Sequence, residues 1–323
     1  MSSPAWNPNG TEHPISPYFK YPEYQDTFAL IDILVLLSLG IFSISSNGFL
    51  VLITIKFKTA LNSSCFYLLG LNAFYDMIVA STGIIASILY AIYGKFKLTR
   101  NACLWFNIVP LTAFHMSFVF VFFIAFDRLL SVFFPIWHLG LRIKSYLSLI
   151  CTISLAVGIL LSYFAVLYPL NSDQTMIRCY IGDLWNGIYV NILLPVCLTL
   201  TAAAVFCYIL IFLRLHFRKN APTTQNTNKK LEGVHKSLII ILLIIIFGWI
   251  CTSINRQLIR VIFSSPYPVA FIIMNCLDLT LTFVGVANTF VLYNCSKAYK
   301  NSINKFLFSG INTTPVVSIQ RLR

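Results

Sequence analysis

Charge is what this sequence has least of. Of its 323 residues only 10% are Asp, Glu, Lys or Arg, where soluble domains carry about 25%. With 58% hydrophobic residues gathered into several runs longer than ~18 residues, the chain is excluded from the water-soluble class. Enzyme signatures are missing as well. There is no Gly-x-Ser-x-Gly, His-Glu-x-x-His or Walker loop, and no cluster spaced to ligate a metal, so neither catalysis nor a cofactor is expected. The nine cysteines are scattered, without zinc or Cys-x-x-Cys spacing. The first 28 residues are polar, with prolines at Pro4, Pro8, Pro14, Pro17 and Pro22. They lack a basic stretch followed by an apolar core, so a cleavable signal peptide is not expected and the first apolar run is the insertion signal. No internal repeat of the kind found in inverted-repeat transporters is evident.

What is present is a set of seven apolar runs, at about 28–55, 66–92, 103–127, 146–169, 186–213, 237–262 and 268–293. Each approaches or exceeds the ~20 residues that cross a bilayer as a helix, and helices satisfy the backbone in lipid where isolated strands do not. The expected fold is therefore an all-α, integral membrane bundle of seven helices, residues 28–293. A tail of residues 1–27 precedes it and a segment of residues 294–323 follows. The net charge of +13 is dispersed into short loops beside the spans, which explains it without nucleic acid. With the N-terminus outside, sixteen of the 23 Lys and Arg residues fall on the inner side and seven on the outer. Positive charge prefers the cytoplasm, so residues 1–27 are expected to be extracellular and residues 294–323 cytoplasmic. The first outer loop, with Lys95, Lys97 and Arg100, runs against the rule without reversing the sum.

This topology sorts two further features. The sequon at Asn9 lies in the outer tail and is the expected glycosylation site, whereas those at Asn62, Asn294 and Asn312 face the cytosol. Cys103, at the outer end of the third run, and Cys179, in the second outer loop, share the oxidising side and are expected to pair. The alternative is two unrelated cysteines. The third run itself holds Cys103 and Asp127 24 residues apart, roughly 36 Å along a helix against ~30 Å of hydrocarbon. One helix thus carries a thiol at one face of the membrane and the pair Asp127-Arg128 at the other.

Seven spans, a cysteine opening the third and Asp127-Arg128 closing it resemble the rhodopsin-like G-protein-coupled receptors. Among these, the stretch from Phe126 to Trp137, with Pro135 downstream of Arg128, looks most like the nematode serpentine chemoreceptors of the Srsx-like class. The resemblance covers about residues 28–308. Ser46-Asn47-Gly48 is similar to the first-span motif, Leu71 to Asp76 to the second, Pro195 to the fifth-span proline and Trp249 to the sixth-span tryptophan. Asn288 with Tyr293 looks like the seventh-span Asn-Pro-x-x-Tyr. The departures are Thr289 in place of that proline, Leu292 where the tyrosine belongs, Cys251 where the sixth-span proline belongs, and a fourth span without tryptophan.

The resemblance implies roles for these residues. Asp127 would hold Arg128 at the cytosolic boundary until activation releases it toward a heterotrimeric G protein, with Asn288 and Tyr293 taking part. Asn47, Asp76, Ser117 and Asn288 would form a polar cluster able to hold a sodium ion at Asp76. An ionisable residue deep inside a span calls for such an explanation, though a hydrogen-bonded acid that only joins helices is the plainer one. The outer half of the bundle is the expected ligand pocket, with Phe106, Pro110, Phe114, Trp249, Arg256, Asn275 and Asp278 as candidate lining. Pro110 stands eighteen residues before Arg128, where aminergic relatives carry a carboxylate, which argues against amine binding through that contact. Arg256 and Arg260 share a helical face, where they either receive an anionic group or pair with Asp278. The segment Ser296 to Phe308 reads as a short amphipathic helix on the inner leaflet. The basic third inner loop, Arg214 to Lys236, is a further contact for the G protein. The reading is a multi-pass receptor of the cell membrane, by resemblance of a sensory cilium, that binds a small molecule or peptide outside and activates a heterotrimeric G protein. A neuropeptide receptor of the same fold and a transporter or channel are the alternatives.

Overall fold

A computed structural model describes residues 22–59, 61, 63–93, 98–167, 176–177, 179, 181–184, 187–219, 289–294 and 296–308. Its helices are α1 (Pro22–Lys56), α2 (Ser64–Tyr93), α3 (Arg100–Phe133), α4 (Pro135–Gly140), α5 (Ile143–Leu167), α6 (Gly187–Lys219) and α7 (Lys297–Phe308). Residues 289–294 are also helical. Two strands of two residues each, β1 (Leu98–Thr99) and β2 (Met176–Ile177), pair antiparallel with Leu98 opposite Ile177. The sixth expected span, most of the seventh, and Asn9, Trp249, Arg256, Arg260, Asn275, Asp278 and Asn288 lie outside the described residues.

Among the described residues five stretches are long and apolar enough to cross a membrane: Ile33–Lys56, Ser64–Tyr93, Arg100–Phe133, Ile143–Leu167 and Pro195–Arg214. The helices outrun the apolar runs. α1 starts at Pro22, inside the segment read as polar tail, because a proline's fixed φ suits the first helical turn. α3 starts at Arg100, where the Thr99 side chain accepts the Ala102 N–H at 3.4 Å and so caps the helix. It ends at Phe133, and Pro135 opens α4.

α3 is the axis of the assembly. It packs against α2, α5 and α6, and 56% of its apolar stretch is buried against 28–33% for the other four. The outer helices keep large apolar side chains in the open, such as Leu34, Ile41 and Leu52 on α1 and Leu155, Ile159 and Leu160 on α5. Helices apolar on faces that no protein covers belong in lipid.

Small residues let the helices approach. A Cβ on Gly83 of α2 would lie 2.5 Å from the Leu36 carbonyl oxygen of α1, and one on Gly40 of α1 would lie 3.0 Å from the Ala80 oxygen. On α5, a Cβ on Gly158 would lie 2.7 Å from Met116 Cγ. One turn on, Ser162 shares hydrogen bonds with Thr112 (2.9 Å) and His115 Nδ1 (3.1 Å) of α3. Close backbones plus buried polar pairs are how helices adhere where lipid offers no hydrophobic drive. Gly83→Val is therefore expected to lower the melting temperature by several degrees, since the obstacle is backbone and overpacking costs about 1–3 kcal/mol. Gly140→Ala, with nothing within 4 Å of the added carbon, is the matched control and should leave the melting curve in place.

Candidate functional site

The polar residues of the bundle fall at three levels along α3. At its N-terminal end Cys103 and Cys179 form a disulfide with Cα atoms 5.0 Å apart, and both residues are buried. The β1–β2 pair joins the same loop to the residues just before α3, so the loop is tied down twice. Cys179 takes a left-handed φ of 60°, a conformation costing an L-residue roughly 1 kcal/mol. Asn107 helps to hold it: the fully buried amide nitrogen donates to the carbonyl oxygens of Cys103 (3.2 Å) and Cys179 (3.3 Å). Of the residues proposed to line a pocket, Pro110 is buried inside α3, Phe114 packs edge-on against Phe118, and Phe106 is 48% exposed.

At the middle level Asp76 of α2 meets Ser117 of α3. The Ser117 hydroxyl donates to Asp76 Oδ1 at 2.7 Å and the Asn72 amide to Asp76 Oδ2 at 2.9 Å. Ser117 also lies 3.3 Å from Asn72 Oδ1. Asn72 completes this triad, four residues before Asp76 and so on the same helical face; sequence reasoning had used it only to recognise a motif. Asn47 is fully buried on α1, where its amide donates to Ser43 at 3.2 Å. The oxygen set is one carboxylate with a neutral hydroxyl and amide. Such hard oxygen donors suit hard cations rather than soft metals.

The third level, beyond the middle of α3, is the most completely wired. Asp127 is fully buried. Its Oδ2 receives both Arg128 Nη2 (2.6 Å) and Arg128 Nε (3.2 Å). Its Oδ1 receives the Ser64 hydroxyl of α2 (2.5 Å) and His138 Nε2 of α4 (2.9 Å). Four donors on one carboxylate satisfy it in the absence of water. α4 follows α3 through a single residue, Phe134, and so brings His138 back beside the acid. Arg128 is itself largely buried, its side chain 12% exposed. Ser64 and His138 are the partners that sequence reasoning missed.

Residues 289–294 and α7 close against α1. Thr289, the residue in place of the motif's proline, donates its hydroxyl to the Ser46 carbonyl at 3.1 Å. Leu292 fills the core at 1% exposure, while Tyr293 donates to Asn304 Oδ1 of α7 at 3.2 Å. The one-place shift of the tyrosine thus turns its hydroxyl to α7 among the described residues. Tyr299 is fully buried, with its hydroxyl 3.1 Å from Thr54 Oγ1 and its ring edge-on to Phe66. Burial pushes that phenol above its usual range, so it is a neutral hydrogen-bonding anchor.

No curated protein matches the chain. Residues 40–307 match the family described as serpentine type 7TM GPCR chemoreceptor Srsx. The match runs from the middle of α1 into α7 and takes in all three polar levels. Spread over most of a helical chain with five membrane-length apolar stretches among its described residues, it shows that the chain belongs to the Srsx family of seven-transmembrane serpentine chemoreceptors.

Proposed function

We propose that this receptor binds a chemosensory ligand at the disulfide end of the bundle and activates a heterotrimeric G protein at the Asp127 end. The disulfide end would be extracellular and the Asp127 end cytoplasmic, as the distribution of Lys and Arg favours. The observation that carries the reading is the wiring of Asp127. Its two oxygens serve two different customers: Oδ2 holds Arg128, and Oδ1 is occupied by Ser64 and His138. When Arg128 swings away to meet a G protein, the buried carboxylate keeps two donors. An acid left with none would cost several kcal/mol. Ser64 and His138 therefore make the release of Arg128 inexpensive without holding the arginine themselves.

Asp76 is proposed as the second switch point. Asp76, Ser117 and Asn72 would hold a sodium ion, with Asn47 and Asn288 as further candidates, and the ion would supply positive charge to the carboxylate to which Ser117 and Asn72 donate. The loss or gain of that charge biases α2 and α3 between two packings. Ligand contacts are proposed from Phe106, Pro110 and Phe114 on α3, and from Trp249, Arg256, Asn275 and Asp278 elsewhere.

The test is a calcium and cAMP screen of cells expressing the chain, run against volatile and peptide libraries in parallel. A small-molecule hit absent from untransfected cells is expected. Responses confined to peptides would move the receptor to the neuropeptide reading, and silence against both libraries at proven surface expression would count against ligand-driven coupling.

A further inference from the structure

We infer that the corner formed by the end of α1 and α7 binds the headgroup of an anionic phospholipid. The inference rests on membrane placement alone and stands apart from G-protein signalling.

Depth comes first. Leu52 and Ile55 of α1 are 58% and 65% exposed, and the helix ends at Lys56. An uncovered apolar face that stops at a lysine marks the boundary between hydrocarbon and headgroups. α7 is fastened at that same depth. Its Tyr299 is bonded to Thr54, two residues before Lys56, and its Phe306 packs edge-on against Phe49 at 5.7 Å. With Tyr299, Ser302 and Ile303 turned inward, α7 leaves Leu307 and Phe308 exposed beside Lys297, Lys300 and Lys305. Apolar side chains and lysines together on one uncovered face suit the interface rather than bulk water.

Charge comes second. The contact between α1 and α7 brings Lys56 against Phe306, on the helix that carries Lys297, Lys300 and Lys305. Lys297 and Lys305 are only eight residues apart, about 12 Å along a helix. Neither segment supplies a counter-charge: the sequence has no Asp or Glu from residue 33 to 75 or from residue 279 to 323. Two of the lysines are also steered. The Lys56 ammonium sits 4.4 Å above the Phe306 ring and the Lys300 ammonium 5.8 Å above the Tyr293 ring, contacts that restrain a long side chain without neutralising it. A group of ammonium donors at headgroup depth matches the oxygens of a phosphate diester carrying net negative charge.

The full chain, purified and placed in nanodiscs of phosphatidylcholine alone or mixed with phosphatidylserine, tests this directly. The wild type is expected to melt at a higher temperature in the mixed discs and to retain phosphatidylserine in native mass spectrometry. The variant K56Q/K300Q/K305Q should lose most of that gain and retain at least roughly ten-fold less lipid, in line with the attraction of single lysines to anionic leaflets. K56R/K300R/K305R should keep both, and all forms should melt alike in pure phosphatidylcholine, since the three side chains are exposed. R142Q/K144Q, which removes charge at the same end of the bundle, should keep both the gain in melting temperature and the bound lipid. Equal loss in that control would reduce the effect to diffuse surface charge and overturn the site. So would an unchanged wild-type melt between the two lipids, or full stabilisation in neutral discs by inorganic phosphate.

Discussion

Arg128→Ala is expected to abolish G-protein activation while the receptor still reaches the cell surface. The guanidinium makes two hydrogen bonds to Asp127 Oδ2, at 2.6 and 3.2 Å. In the proposed active packing the same donors meet the G protein. Each charge-assisted bond lost there costs about 1.5–3 kcal/mol, a ten- to hundred-fold loss in coupling per bond. The cost to folding is smaller. Breaking a buried pair usually costs about 3–5 kcal/mol because the orphaned charge stays buried. Here Asp127 keeps Ser64 and His138, so a loss nearer 1–2 kcal/mol is expected. Surface labelling and agonist response measured on the same cells separate the two effects. A full response at matched surface density would reduce Arg128 to a residue that marks the membrane edge.

Asp76→Asn should alter signalling more than stability. The carboxylate accepts from Ser117 and from Asn72. An asparagine keeps the first acceptor and turns an N–H toward the second donor. Rotating the Asn72 amide, whose oxygen already lies within reach of Ser117, restores a complementary pair. The folding cost is then about one hydrogen bond, roughly 1 kcal/mol. The charge, however, is gone, and with it the attraction for a cation. The wild-type response is expected to shift when sodium is exchanged for a larger organic cation, and the variant's response should be altered and indifferent to that exchange. An unaltered response with intact sodium dependence would leave Asp76 as an acid that only joins α2 to α3.

These residues were legible to different degrees. Cys103 and Cys179 could be expected to pair because the expected topology put both on one oxidising side, while the 5.0 Å between their Cα atoms is seen only in the structure. The contact of Asp127 with Arg128 came from family resemblance, because neighbours on a helix do not face each other by default. Asp76 with Ser117 came from family resemblance, because two polar residues in separate apolar runs do not announce each other. Ser64 and His138 were missed for that reason. Ser64 is 63 residues from Asp127 in sequence, and His138 reaches the acid only because α4 turns back immediately after Pro135. Asn107, and the Thr112–His115–Ser162 group between α3 and α5, escaped in the same way. A polar residue in an apolar run signals a helix contact, but the rotation of each helix, which selects the partner, is set by the packing of Gly83, Gly158 and their neighbours. The departures at Thr289 and Leu292 were visible in sequence, yet their use was not: a threonine bound to the Ser46 carbonyl, and a leucine in the core that displaces the tyrosine toward α7.

Nucleotide exchange on a purified heterotrimeric G protein is the most direct test of the central claim. The full chain in nanodiscs would be mixed with the heterotrimer and with a small molecule that emerges from the cellular screen. The account predicts that the molecule accelerates GTP binding by the wild-type receptor at least roughly ten-fold more than by the Arg128→Ala form, the loss expected from one charge-assisted bond. Ligand-driven ion or solute flux through the wild-type protein, with no change in nucleotide exchange, would contradict it and return the chain to the transporter or channel reading.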